Sequence, residues 1–283
     1  MPTEETGDLR ASAERDGGPD RDEQEQASER QRLSPVTVFE TIRREGADEL
    51  ERPVLSLWWS GIAAGIGLST SVLAEAVLHR ALAGSPAQEV VSAFGYAIGF
   101  VLVILARLQL FTENTISVVL PVLAEPSGDR LWRSARLWTV VFAANLAGTF
   151  ATALIALKLG TTSPENTAAM LEVSRQVLEQ SGWTGLFHAI PAGFYIAAIV
   201  WMLPSSKGFE VFTILIFAWL IAAGGFAHVI VGSVEVFLLV VHGELGLWPG
   251  FWTILLPALA GNVIGGTGLF AFLAYGQTEG GKE

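Results

Sequence analysis

Residues 211–241 read VFTILIFAWLIAAGGFAHVIVGSVEVFLLVV, and the length of this stretch decides the fold. It runs 31 residues, whereas about 20 apolar residues cross the hydrocarbon core of a bilayer as a helix. One ordinary crossing leaves chain over, and two crossings plus a turn need more than is there. The economical solution is a single span whose helix stops midway and restarts, with Gly224, Gly225 and Gly232 supplying permissive backbone. Non-helical backbone survives at membrane depth only where it lines a cavity in protein rather than lipid. A 35-residue apolar run at 90–124, interrupted by Arg107 and Glu113 as the first is by His228 and Glu235, has the same reading.

Outward from these two segments, residues 53–74, 137–157, 180–206 and 245–278 contain no Asp, Glu, Lys or Arg. Counting each interrupted run once gives six spans, near 54–78, 90–124, 134–157, 186–204, 209–241 and 250–276. The whole 283-residue chain is 51% hydrophobic and 16% charged, against about a quarter charged in a soluble protein. A soluble globular enzyme and a disordered chain are both excluded. The net charge of −11 is unevenly held. Residues 1–52 carry 15 acids and 8 bases, so the remaining body is only weakly acidic. Cysteine is absent, which removes disulfides, thiolate metal sites and cysteine catalysis.

Residues 1–34 are polar and charged with few large apolar side chains, the composition of a disordered acidic tail. Residues 35–52 interleave Val36, Phe39, Ile42 and Leu50 with Arg43, Arg44 and Glu45, which suits an amphipathic helix at a membrane surface. The first apolar run begins too late for a signal peptide, so no cleaved leader is expected. Arg43, Arg44, Arg52, Arg130, Arg133, Arg136, Lys207 and Lys282 fall on one side of the predicted spans, and Arg80, Lys158 and Arg175 on the other. The positive-inside tendency then places both termini in the cytoplasm of a cell whose inner or plasma membrane holds the 53–278 pore domain. Ser163-Pro164-Glu165 predicts the start of a short helix in the opposite loop.

The interrupted span is second in each set of three. The third spans share Asn145-Leu146-Ala147-Gly148 and Asn262-Val263-Ile264-Gly265. Three crossings per copy force the second copy to run upside down, the inverted-repeat plan of transport proteins in which paired broken helices mark a central pathway. Asn145 and Asn262 are candidate pathway residues on this reading, while the glycines suit close helix packing. Charge inside a bilayer is costly unless paired or hydrated. Arg107, Glu113 and Glu235 are therefore singled out as intramembrane charges, with Arg107 expected to pair with Glu113 or Glu235 and brace the two breaks.

Leu110-Phe111-Thr112-Glu113-Asn114-Thr115 resembles the LFT-x-N box of the formate/nitrite transporter family. Gly225-Phe226-Ala227-His228 is similar to its Gly-x-Glu-His break, and Gly261-Asn262-Val263-Ile264-Gly265-Gly266 to its Gly-Asn-x-x-Gly-Gly span. The resemblance covers residues 53–276 in order and spacing. Its LFTENT box and Gly232-Ser233-Val234-Glu235 look most like a poorly characterised inner-membrane branch. It implies an all-α, aquaporin-like fold of six helices in two inverted three-helix repeats, assembled as a pentamer with a pore in each protomer. The implied cargo is a small monovalent anion or its conjugate weak acid. By position, His228 is the central histidine, Thr112 its loop partner, and Tyr96, Phe100 and Ile221 form hydrophobic constrictions. Phe111 and Asn114 of the same box join the pore set. The sequence departs from the family's pattern at Ala227, where an acid is usual, and at Gly232, where Asn is usual.

The four histidines, His79, His188, His228 and His242, show no HExxH spacing, and no Gly-x-Ser-x-Gly elbow, Walker A box or cofactor fingerprint occurs. The expectation is therefore a transporter with no enzymatic activity, no cofactor, no metal and no nucleic-acid partner. A proton-coupled carrier of another small organic acid, or a structural or signalling membrane protein, are the alternatives.

Overall fold

The computed structural model describes residues 32–279. Of the expected tail at 1–34, residues 1–31 lie outside the described residues, as does Lys282. Ten helices account for most of what is described: α1 (Pro35–Glu51), α2 (Val54–Ala81), α3 (Gln88–Leu105), α4 (Asn114–Ala124), α5 (Gly128–Lys158), α6 (Pro164–Ser174), α7 (Gly182–Ser205), α8 (Glu210–Ala223), α9 (Val229–His242) and α10 (Leu247–Thr278). Among the described residues five of these, α2, α3, α5, α7 and α10, are long and apolar enough to cross a bilayer. The 14-residue α8 and α9 are each only about 21 Å long, short of the roughly 30 Å core. Both interrupted segments break where the sequence predicts, at 106–113 and 224–228, and the arrangement is compatible with six crossings.

The halves of the chain are built alike. α2 packs on α5 and α7 on α10, while α3 and α8 lie against each other. Small residues bring the backbones together. A β-carbon on Gly65 of α2 would run into the Asn145 carbonyl, and one on Gly193 of α7 into the Asn262 carbonyl. In return, Gly148 faces the Ile62 carbonyl and Gly265 the Ile190 carbonyl. The glycines of the shared Asn-x-x-Gly motifs thus serve packing. α10 carries two π-helical stretches, Gly250–Leu255 and Ile264–Ala271. α2 bends at Ser69, whose Oγ donates back to the Gly65 carbonyl at 2.8 Å.

α3 and α8 end in the same hydrogen-bonded turn. Ala106 N donates to Leu102 O, Arg107 N to Ile104 O and Leu108 N to Val103 O. Gly224 N donates to Leu220 O, Gly225 N to Ala222 O and Phe226 N to Ile221 O. This turn requires a left-handed residue. Gly225 supplies it at φ +65°, and in the other copy Arg107 does so at φ 54°, the one non-glycine with positive φ among the described residues.

α1 departs from the expected membrane-surface helix. Its Val38, Phe39 and Ile42 pack with Ile116, Val119 and Leu120 of α4, Ala197 of α7 and Ala271 of α10, so the apolar stripe is buried in protein, and Val36 is exposed. α5 starts six residues before its predicted span at 134–157 because Ser127 caps it, accepting from Arg130 N. Its first turns carry the arginines assigned to a loop. Arg133 Nη1 donates to Glu51 at 2.6 Å and Arg136 Nη2 to the Leu50 carbonyl at 2.7 Å, fastening the end of α1. Near its start α1 is braced by Glu40, whose carboxyl is lowered to about 2 by hydrogen bonds from Arg43 and Arg44. The 164–174 helix starts as predicted, with Ser163 Oγ accepting from Asn166 N, and buries Met170, Leu171 and Val173 instead of lying free on the surface.

Arg107 is a β-carbon-bearing residue in a conformation that costs about 1 kcal/mol or more outside glycine, and its side chain is 76% exposed. Arg107→Gly is expected to raise the thermal midpoint of the detergent-solubilised protein by a few degrees, measured by fluorescence-detected gel filtration. A lowered midpoint would mean that the guanidinium contributes more than the backbone strain removes.

Candidate functional site: two helix breaks around a buried histidine

Breaking a helix inside a low-dielectric interior leaves backbone donors and acceptors that must be satisfied by protein. Two asparagines do this in matching ways. Asn145 Oδ1 accepts from Phe111 N at 2.9 Å, and its Nδ2 donates to Gln109 O and Gly61 O, both at 2.8 Å. Asn262 Oδ1 accepts from Val229 N at 2.9 Å, and its Nδ2 donates to Ala189 O at 2.8 Å and Ala227 O at 2.9 Å. Each side chain joins the third span of its repeat to the first span and to both sides of a break. Both asparagines are fully buried with their donors and acceptor engaged in backbone bonds, so they build the breaks and do not line a pathway.

The break at 106–113 is also closed from within. Asn114 Nδ2 donates to Gln109 Oε1 at 3.1 Å and to Leu110 O at 3.2 Å, while Gln109 N donates to Ser60 Oγ. Phe111 turns away from the histidine and meets Trp138 and Phe142 edge to face. Asn114 and Phe111 are thus scaffold. The second break is held from the 158–185 side: Ala227 N donates to His188 O at 3.1 Å, and Gln180 Nε2 donates to Gly225 O at 2.9 Å.

What these breaks bring together is Thr112 and His228. Thr112 Oγ1 lies 2.7 Å from His228 Nε2, with the threonine fully buried and the histidine 2% exposed. His228 Nδ1 accepts from Val231 N at 3.3 Å, capping α9. A backbone N–H can only donate, so Nδ1 is the acceptor and the ring proton sits on Nε2, donated to Thr112. The imidazole in this arrangement is neutral and is held at both nitrogens. Phe100 meets its ring edge-on at 4.9 Å between centroids, and Tyr96 stands 5.5 Å from Phe100.

A cavity of about 80 Å³ opens from His228 toward the 158–185 segment. Tyr96 lines it. From α8 and the second break it is lined by Ala222 and Phe226; Ile221 is buried one residue away and is not on its wall. Glu235 faces this cavity, two helical turns beyond His228 on α9, together with Glu75 of α2 and Gln176.

Arg107 forms no ion pair or hydrogen bond with Glu113 or Glu235 among the described residues. Its guanidinium is 3.5 Å from Glu45 on α1 and is exposed. The left-handed turn at 107 directs the chain that way, which periodicity does not reveal. Glu113 is part-buried with Oε1 unbonded, and the foremost charge acting on it is Arg107, followed by Glu49 and Glu45. Arg175, in the turn after α6, donates to Glu244 at 2.7 and 2.8 Å. That guanidinium in turn holds the Glu244 carboxyl below its usual range. The residue that sequence reading missed is Glu75. Its signal was an acid at the twenty-second position of a 28-residue apolar span.

An all-helical membrane protein with two broken segments, clamped alike around a buried histidine, belongs to the inverted-repeat transporters and channels. The sequence model of the formate/nitrite transporter family matches residues 36–276, and the chain belongs to that family. It is 38% identical over 243 residues to "Inner membrane protein YfdC" of Escherichia coli (strain K12), across 86% of this chain and 78% of that protein. It is 23% identical over 273 residues to "Formate channel FocA" of Haemophilus influenzae, across 85% of this chain and 94% of that one. Among solved structures, a "Pentameric formate channel with formate bound" shares the fold at a TM-score of 0.69 and 20% identity, covering 80% of this chain and 97% of the other.

The asparagine clamps account for three buried bonds each, and each backbone group left orphaned costs about 1–3 kcal/mol. Asn262→Ala is therefore expected to lower the thermal midpoint by about 10 °C, read by gel filtration after heating. A change within two degrees would show that the break holds without the clamp.

Proposed function

We propose that this protein passes small monovalent anions, as their conjugate weak acids, through a pore in each protomer, with His228 and Thr112 at its narrowest polar point. The observation that carries this reading is the Thr112–His228 pair at 2.7 Å, fixed by two helix breaks and closed by Phe100. A bare anion pays several kcal/mol or more to enter a low-dielectric passage, and its neutral acid much less. Apolar rings on either side of one polar point therefore favour a small neutral species over ions. Thr112 accepts the Nε2–H of His228, which leaves its own hydroxyl hydrogen free and polarised to donate to an oxygen of the passing molecule. Tyr96 and Phe100 form one constriction, and Ile221 is the α8 residue assigned to the other.

The same reading extends to the assembly and its setting. The chain forms a homopentamer in the inner or plasma membrane with both termini cytoplasmic. The similarity to a pentameric formate channel and to an inner-membrane protein supports this, as does the excess of bases on one side of the spans. Residues 1–34 form an acidic cytoplasmic tail, 35–52 a cytoplasmic helix and 53–278 the pore domain.

His228→Asn keeps a side chain that caps α9 and removes the imidazole. In proteoliposomes, the variant is expected to lose at least about tenfold in formate or nitrite flux while keeping its oligomeric state. Full flux in the variant would remove His228 from the mechanism.

A further inference from the structure

The cavity beside His228 is lined by two acids and by no Lys or Arg. Glu75 and Glu235 both line it, and among the described residues neither makes a hydrogen bond or ion pair. Tyr96, only 6% exposed, lines the same wall within electrostatic reach of both carboxyls, and its hydroxyl also has no hydrogen-bond partner among the described residues. On α5, which packs against α2 and α9, Lys158 in the last turn is an exposed base with no hydrogen bond or ion pair among the described residues and is not on the cavity wall; the other charged groups on the surrounding elements are committed or acidic. On α2, His79 is 3.6 Å from Glu172 of α6; Arg80 lies within electrostatic reach of Glu165. In the turn after α6, Arg175 is tied to Glu244, and Glu179 is a further acid. α3 offers Glu89 in its first turn, and at the end of α9 His242 is 3.0 Å from Glu244. The line of α9 from His228 to Glu235 adds only the imidazole, whose two nitrogens are already bonded to Thr112 and Val231.

Two adjacent carboxylates without a counter-charge in a poorly solvated space are stabilised by holding protons between them. Among the described residues no group of three metal-ligating side chains is present, so the pair matches protons better than a metal ion. With protons loaded, the cavity presents hydrogen-bond donors from two carboxyls and the Tyr96 hydroxyl, and an anion is accepted. Unloaded, it is negative and repels one.

We propose that Glu75 and Glu235 are the proton donors that convert an entering carboxylate anion to its neutral acid at the mouth of the His228 constriction. This rests on the transport reading above and names the groups that perform its protonation step. The substrate carboxylate takes the proton from one glutamic carboxyl, forming an O–H bond on the substrate as the glutamic O–H breaks. The neutral acid moves past His228, and the glutamate regains a proton from solvent on the 158–185 side. One proton accompanies each anion, and His228 keeps its own.

The test is formate or acetate uptake into proteoliposomes that trap a pH dye, with external pH varied from about 5 to 8. Over that range a free carboxylic acid becomes scarcer by about tenfold per pH unit. The wild-type protein is expected to show a shallower decline than this up to about pH 7, because the pair supplies the proton. The double variant Glu75→Gln, Glu235→Gln is expected to match wild type at pH 5 and to fall about tenfold per unit above it. The Glu75→Asp, Glu235→Asp variant keeps the titratable groups and should restore the shallow profile. A double Gln variant with the wild-type profile, or one already inactive at pH 5 while correctly assembled, overturns the proposal. Wild-type vesicles that pass no weak acid at any pH would instead defeat the transport reading itself.

Discussion

Everything that distinguishes this molecule from a plain helix bundle depends on satisfying the backbone of two broken helices inside a membrane. Asn145 and Asn262 each spend one acceptor and two donors on that task. The cost they offset is large, because an unpaired peptide group in hydrocarbon has no water to turn to. Close approach of the first and third spans is a precondition. Gly65 and Gly193 let the asparagine carbonyls sit against the facing helix, so the carboxamides reach across to Gly61 and Ala189. A packing feature and a polar feature therefore come as one unit, repeated once.

From the matched scaffold an unmatched site emerges. The two clamps hold equivalent backbone groups, at Gln109 and Phe111 in one copy and Ala227 and Val229 in the other, which makes Leu110 the counterpart of His228. Only one copy supplies an imidazole at this point, and the other supplies Thr112 from its own break. The neutral tautomer follows from use of Nδ1 as the cap of α9. A histidine engaged this way polarises well and stores a proton poorly, which directs attention to the carboxyls across the cavity.

Much of this was legible in the residues. The lengths of the two long apolar runs gave both breaks, and the shared Asn-x-x-Gly tied them to a repeat. Motif order gave His228 and Thr112. The roles of Asn145, Asn262, Asn114 and Phe111 were not legible, because an asparagine that faces a pathway and one that clamps backbone look the same along a sequence. The fate of Arg107 depended on a left-handed turn that in the other copy falls on glycine, and that of α1 on a groove made by α4, α7 and α10. Glu75 was overlooked because its span reads as apolar up to the last two turns.

The most direct test of the account is a high-resolution density map of the protein in lipid nanodiscs. The account predicts non-helical backbone at 106–113 and 224–228, both asparagine carboxamides on the six backbone groups named above, and Thr112 Oγ1 within hydrogen-bonding distance of His228 Nε2. Continuous helix through either break, or an asparagine side chain pointing into the cavity, would contradict it.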